Sequence, residues 1–392
     1  MQRLPYDDRL CRARRVLDAK AKPPGALGRL EPVAARLAAL QGTLRPRPEP
    51  AGALVFAADH GVAEEGVSAY PQAVTAQTVS AAARGEAAVT ALANAAGAAV
   101  EVVDVGVKTD APAPGEEDGA ASTLTRAAVR RGTRNLRREC AMTGEECDAA
   151  LETGRAAVRR ADERGVRTLA LGDLGIGNTT AAAALLAALT GRPAAEVVGR
   201  GTGIDEDGLD HKRAVVEQAV ARHAAEREES RKGAARAALA SLGGLEIAAL
   251  VGATREAAGR GMAVVVDGFI VTVAALAALR MDDGDDPHPV GRTLFFAHCG
   301  AEAGHRAALD ACADAGAGAA AADPLLEWGL RLGEATGAVA ALPLLRSACA
   351  LFEMATFGEA GVSPGDAREA PPDEPISESL SKRRDAARET TP

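Results

Sequence analysis

The chain has 392 residues with 47% hydrophobic side chains, enough for a large core and for one large and one small domain. Aromatic residues make up only 2% and the net charge is −9, which disfavours stacking on single strands and electrostatic attraction to nucleic acid or an anionic membrane. Six cysteines form no CxxC pair, so neither a disulfide framework nor a zinc finger is expected.

The first fifteen residues are charged throughout and show no signal peptide, so a cytoplasmic enzyme is the expectation. Helical patterns follow over residues 9–21 and 30–41, separated by the rigid turn Lys22-Pro23-Pro24-Gly25. Short apolar runs at 53–57, 99–105, 168–171, 263–266 and 294–297 read as buried parallel strands. Ala-rich segments at 74–96, 145–164, 179–190, 207–229, 245–259 and 269–280 read as the helices between them. Alternation of this kind predicts a parallel α/β sheet with right-handed crossovers. The longest apolar stretch, 262–279, carries Asp267 and Gly268 inside it, so it reads as strand, turn and buried helix rather than a membrane span.

Each predicted strand ends in chemistry: Asp59-His60-Gly61, Asp104, Asp173, Asp267-Gly268 and His298-Cys299-Gly300. Open sheets bind ligands beyond the carboxyl ends of their strands, so these residues converge on one edge. Residues 59–77 are long and polar for a simple connection and read as a binding loop or lid. Residues 109–121 and 364–392 are rich in Pro and charge and are expected to be loose. Towards the end, Asp323-Pro324 reads as a helix start, with helical spacing through Leu325, Leu326, Trp328, Leu330 and Leu332. A second apolar helix is expected over 338–355.

The segment Gly172-Asp173-Leu174-Gly175-Ile176-Gly177-Asn178-Thr179-Thr180 joins a strand, a glycine turn and a helix start. Unpaired backbone N–H groups at such a junction can hold a phosphate. A second glycine turn, 199–203, precedes a helix carrying Lys212, one of only six lysines. Two glycine turns and a lysine could share one phosphate. The Walker A and GxSxG patterns are both absent, which disfavours an ATPase or a serine hydrolase. Glu334 lies in a Gly-flanked break between the last two predicted helices. A carboxylate there would be partly desolvated and have a raised pKa, as a general base requires. It would also sit at the unfavourable negative end of the first of those helices, which invites a functional explanation. His298-Cys299 with His305 lacks further ligands at regular spacing, so no metal is expected.

The segments 22–31, 58–75, 172–180, 243–244, 266–269 and 331–337, in this order, closely resemble the nicotinate-nucleotide–dimethylbenzimidazole phosphoribosyltransferase family, over residues 17–362. The resemblance implies transfer of phosphoribose from nicotinate mononucleotide to 5,6-dimethylbenzimidazole, with inversion at C1′, in assembly of the cobalamin nucleotide loop. It implies a Rossmann-like large domain (46–322), a small helical domain from both chain ends (1–45 and 323–362), a disordered tail (363–392), a homodimer and no cofactor or metal. Glu334 is then the general base, with Asp173 assisting near the nucleotide in place of a Glu common in the family. Gly175, Ile176, Gly177, Asn178, Thr179, Thr180, Gly201 and Lys212 would hold the nucleotide and its phosphate. Tyr70, Gln77 and Leu174 would line the base pocket. A non-catalytic relative that binds a benzimidazole or its nucleotide is the alternative.

Overall fold

A computed structural model describes residues 4–109, 122–226, 233–281 and 289–362. The stretch 110–121, the tail 363–392 and the last three residues of the helix expected over 207–229 lie outside the described residues.

Six parallel strands form the sheet: β1 (Ala51–Ala58), β2 (Ala99–Gly106), β3 (Ser122–Arg126), β4 (Thr168–Leu174), β5 (Ala263–Val266) and β6 (Leu294–Phe296), in the order β3-β2-β1-β4-β5-β6. The five predicted strands are all present. β3 was not expected, because its sequence STLTR is polar and carries no apolar run. It pairs on one side only, with β2, and so needs none.

The helices are α1 (Tyr6–Asp18), α2 (Leu30–Gln41), α3 (Ala73–Ala83), α4 (Ala88–Ala96), α5 (Gly144–Glu163), α6 (Asn178–Thr190), α7 (Ala194–Val197), α8 (Glu206–Glu226), α9 (Ala234–Leu242), α10 (Leu245–Gly259), α11 (Phe269–Arg280), α12 (His305–Cys312), α13 (Ala319–Ala322) and α14 (Thr336–Ala350). Local sequence explains several boundaries. Thr143 and Glu146 close a reciprocal capping box ahead of α5, at 3.1 and 2.8 Å. The single helix expected over 74–96 is two, broken at Arg84-Gly85-Glu86, where Gly85 has a positive φ.

β1 shows how the sheet divides two cores. Leu54, Phe56 and Ala58 face one side with α5, α6, α10 and α11. Ala53, Val55 and Ala57 face the other with α1, α2, α3, α4 and α14. Side chains alternate along a strand, so a run buried on both faces must be apolar throughout, as β1 is. Residues 336–353 are long and apolar enough to cross a membrane, but most of that stretch is buried inside the fold, with Val339, Leu342 and Leu345 in the second core.

The helix expected from Asp323 is absent, which is a correction. Residues 323–335 run as irregular, partly extended chain. The Leu325 and Leu326 N–H groups donate to the Phe296 and Ala297 carbonyls at 2.9 Å, and Leu326 bridges His298 in parallel. Tertiary pairing beyond the end of β6 thus overrides local helical spacing. Glu334 is therefore not at the end of a helix. It stands just before α14, at that helix's positive end, and the helix-end reason for singling it out does not hold.

Candidate active site

A cavity of about 610 Å³ opens beyond the carboxyl edge of the sheet. β4 and the turn after it contribute residues 173–176, α6 contributes Asn178 and Thr179, and the far wall is the segment 329–334. Strand order reverses between β1 and β4, and crevices at such reversals are where open α/β sheets bind ligands.

Glu334 is placed by backbone geometry. It and Ala335 are the two non-glycine residues with positive φ among the described residues, at 60° and 63°. Such conformations are costly and persist where the surroundings impose them. Here three contacts do so. The Glu334 N–H donates to the Asp173 carbonyl at 3.1 Å. Gly172 lets β4 pass so close that a Cβ on it would lie 2.1 Å from the Ala335 nitrogen. Asp267, following β5, accepts the Ala338 N–H on Oδ1 at 2.8 Å and so caps α14 from another element. Burial pushes the Glu334 carboxyl up to about 7, and the negative charge of Asp267 adds to the shift.

Asp173 is buried at the end of β4, and its Oδ2 accepts from Asn178 Nδ2 at 2.8 Å. Burial pushes its carboxyl well above the ordinary range, and the charges of Asp267, Glu246, Glu302 and Glu334 push the same way. Glu302 is raised too, again chiefly by burial. A buried cation lies within range of the Glu302 charge. Lys212 on α8 donates to Thr179 Oγ1 at 2.8 Å, and burial pulls its ammonium down to about 8. Gly201 completes the corner: a Cβ there would lie 2.8 Å from Thr179 Oγ1 and 3.0 Å from Lys212 Nζ. The two glycine turns and the lysine therefore meet at Thr179.

The remaining predicted residues divide. Leu174, Gly175, Ile176, Asn178, Thr179 and Gly201 line the cavity, and Tyr70 stands at its mouth with 56% exposure. Gly177 starts α6 in the left-handed conformation, and Thr180 is buried beneath the turn. Gln77 is exposed on α3, whose cavity-facing residues are Val74, Thr75 and Thr78. The polar stretch of 59–77 ends at Gln72, and α3 has begun by Ala73. The Ile176 N–H is bonded to Thr75 Oγ1 at 3.1 Å, so it is taken within the protein.

Thr75, Thr202, His298, Glu302 and Arg331 also line the cavity and were not assigned from sequence. Asp267 and His298 were visible as strand ends, but nothing in their spacing set them apart. Among the described residues no group of three or more His, Cys, Asp or Glu side chains could hold a metal ion. His305 illustrates why. Its Nδ1 accepts the Gly300 N–H at 2.7 Å, its Nε2 meets Thr272 Oγ1 at 3.1 Å, and burial lowers its pKa to about 3.

Strand order and a crevice at the point of reversal define a doubly wound α/β protein with its candidate site at the switch point of the sheet. A family model described as phosphoribosyltransferase matches residues 5–362. The nicotinate-nucleotide–dimethylbenzimidazole phosphoribosyltransferase of Pseudomonas aeruginosa is 49% identical over 348 residues, covering 88% of this chain and 92% of the relative. The enzyme of the same name from Cupriavidus necator is 47% identical over 361 residues, covering 92% and 97%. The crystal structure of CobT from Thermus thermophilus superimposes with a TM-score of 0.81 at 47% identity, over 91% of this chain and 100% of that one. The chain belongs to the nicotinate-nucleotide–dimethylbenzimidazole phosphoribosyltransferase family.

Proposed function

We propose that the protein transfers the phosphoribosyl group of nicotinate mononucleotide to 5,6-dimethylbenzimidazole, giving α-ribazole 5′-phosphate and nicotinate for cobalamin assembly. The observation that carries this reading is one cavity lined by Glu334 and by Thr179 and Gly201, with the buried Lys212 bonded to Thr179 behind them. The corner receives the 5′-phosphate, with Lys212 supplying charge and Thr179 and the turn supplying hydrogen bonds. Glu334 accepts the N–H proton of the benzimidazole. The lone pair of the other ring nitrogen forms the new bond to C1′. The C1′–N bond of the pyridinium breaks, and its electron pair neutralises the ring, so nicotinate departs without a general acid. Attack opposite the leaving group converts a β-nucleotide into an α-nucleotide. Asp173, its carboxyl pushed up by burial and by the neighbouring carboxylates, assists near the nucleotide.

The reading includes a cytoplasmic homodimer. Trp328 and Leu332, 65% and 59% exposed beside the cavity, are apolar surface that a second copy would cover.

The testing experiment is chromatographic: purified protein with both substrates should release nicotinate and form α-ribazole phosphate in equal amounts. Nicotinate alone would mean hydrolysis, and binding without turnover would favour the non-catalytic alternative. In the same assay, Lys212→Met should raise KM for the nucleotide about 10- to 100-fold, as expected for a lost charge-assisted bond. An unchanged KM would remove the phosphate from this corner.

The acidity of the two groups sets a pH profile. Glu334 must be unprotonated, so kcat/KM rises with pH through about 7. Lys212 must be protonated, so kcat/KM falls as pH passes about 8. A bound phosphate holds the ammonium form, so the falling limb should move to higher pH in kcat. Lys212→Arg should abolish that limb, and its persistence would assign it elsewhere.

A further inference from the structure

Beneath the nucleotide turn lies a buried relay that the transfer chemistry does not use. Asp59, the residue after β1, is 1% exposed and joins separate parts of the chain. Its Oδ1 accepts the Thr75 hydroxyl at 2.7 Å, its Oδ2 accepts the Lys108 N–H at 2.8 Å, and its carbonyl accepts the Thr133 N–H at 2.9 Å. Burial pushes the Asp59 carboxyl up, while the bonds from Lys108 and Thr75 pull it down. Thr75, equally buried in the first turn of α3, accepts the Ile176 N–H on the same hydroxyl oxygen at 3.1 Å. A hydroxyl has one proton to give. Asp59 takes it, which leaves a lone pair turned towards Ile176.

Ile176 is the middle residue of the Gly175–Gly177 turn, flanked by two glycines with little conformational preference of their own. The carbonyl side of its peptide, on Gly175, accepts the Asn178 N–H at 3.3 Å, and the Thr75 bond holds the N–H side. Fixing it fixes the start of α6, and with it Thr179, which meets Lys212 three residues further on.

We infer that Asp59 and Thr75 are positioning residues for the nucleotide turn, a carboxylate–hydroxyl–amide relay from the end of β1 to Ile176 that sets affinity for the phosphoribosyl donor. This rests on the reading that the turn and Lys212 hold the 5′-phosphate. Glycine at 175 lets the turn pass the end of β1, where a Cβ would lie 2.1 Å from the Ala58 carbonyl oxygen, and the relay fixes the amide that follows it.

The test is steady-state kinetics on the full chain, with nicotinate mononucleotide and dimethylbenzimidazole varied separately. Thr75→Val keeps the side-chain shape and removes the hydroxyl. It should raise KM for the nucleotide about tenfold, the size of one lost hydrogen bond, with KM for the base changed less than about twofold. Thr75→Ser restores the hydroxyl and should return KM to within about threefold of the parent. Asp59→Asn keeps an acceptor and should give an intermediate rise. An unchanged nucleotide KM in Thr75→Val would overturn the inference. A defect confined to the base would do so too, making Thr75 a base contact, as would a Thr75→Ser variant that fails to rescue. Lys212→Met separates the two levels. If it raises nucleotide KM and Thr75→Val does not, only the relay is wrong. If neither does, the phosphate site itself is misplaced.

Discussion

Glu334→Gln is expected to lower kcat by about 10²- to 10⁴-fold, the usual contribution of a general base. Glutamine matches the size of glutamate and tolerates the same backbone, so the left-handed turn at 60° should survive. The nucleotide corner is built from Thr179, Gly201 and Lys212, so KM for nicotinate mononucleotide should stay within a few-fold of the parent. The rising limb of the pH profile near 7 should vanish, because the group that titrates there is gone. A variant turning over at near-parental rate, or retaining that limb, would show that another group takes the proton.

Gly172→Ala should produce the second large effect, although residue 172 carries no functional group. The added Cβ would lie 2.1 Å from the Ala335 nitrogen, 2.6 Å from its Cβ and 2.7 Å from its Cα. All three belong to a buried residue fixed by the backbone, and no side-chain rotation relieves the overlap. β4 or the 333–336 turn must move. Overpacking of this kind costs about 1–3 kcal/mol, so the melting temperature should fall. The segment that moves carries Glu334, and a displacement of about 1 Å at a reacting group can cost about 10²-fold in rate. A purified Gly172→Ala protein with parental melting and kcat would refute the close passage. Combined with Glu334→Gln, the glycine change should lower kcat little further, since both act through one carboxylate.

The sequence exposed most of the sheet because its strands are buried on both faces. Apolar runs such as Ala51–Ala58 stand out against Ala-rich helices and polar turns. β3 escaped because an edge strand needs no such run. The site was legible where chemistry is local: a glycine turn before a helix, a rare lysine, a carboxylate between glycines. It was illegible where a role depends on a distant partner. Gln77 looked like a pocket residue by its segment, yet the helical rotation of α3 turns it to solvent and presents Thr75 and Thr78 instead. Asp59, Thr75 and Asp267 act through hydrogen bonds to residues 71 to 101 positions away or through such a partner, and no spacing rule reports that.

Sequence by itself thus determined the parallel α/β class, the convergence of polar residues on one sheet edge, and Glu334, Asp173, Thr179 and Lys212 as the residues to watch. The class follows from periodicity, and the residues from side-chain chemistry together with the family resemblance; for Glu334 the local helix-end argument did not hold. Tertiary structure decided the rest. It unwound the helix expected after Asp323 by pairing that segment beyond β6, and placed Glu334 before α14 instead of behind a helix. It also raised the pKa of that carboxyl by enclosing it beside Asp267. Burial and long-range hydrogen bonding depend on what the rest of the chain brings to a point in space, and only the folded molecule contains that information.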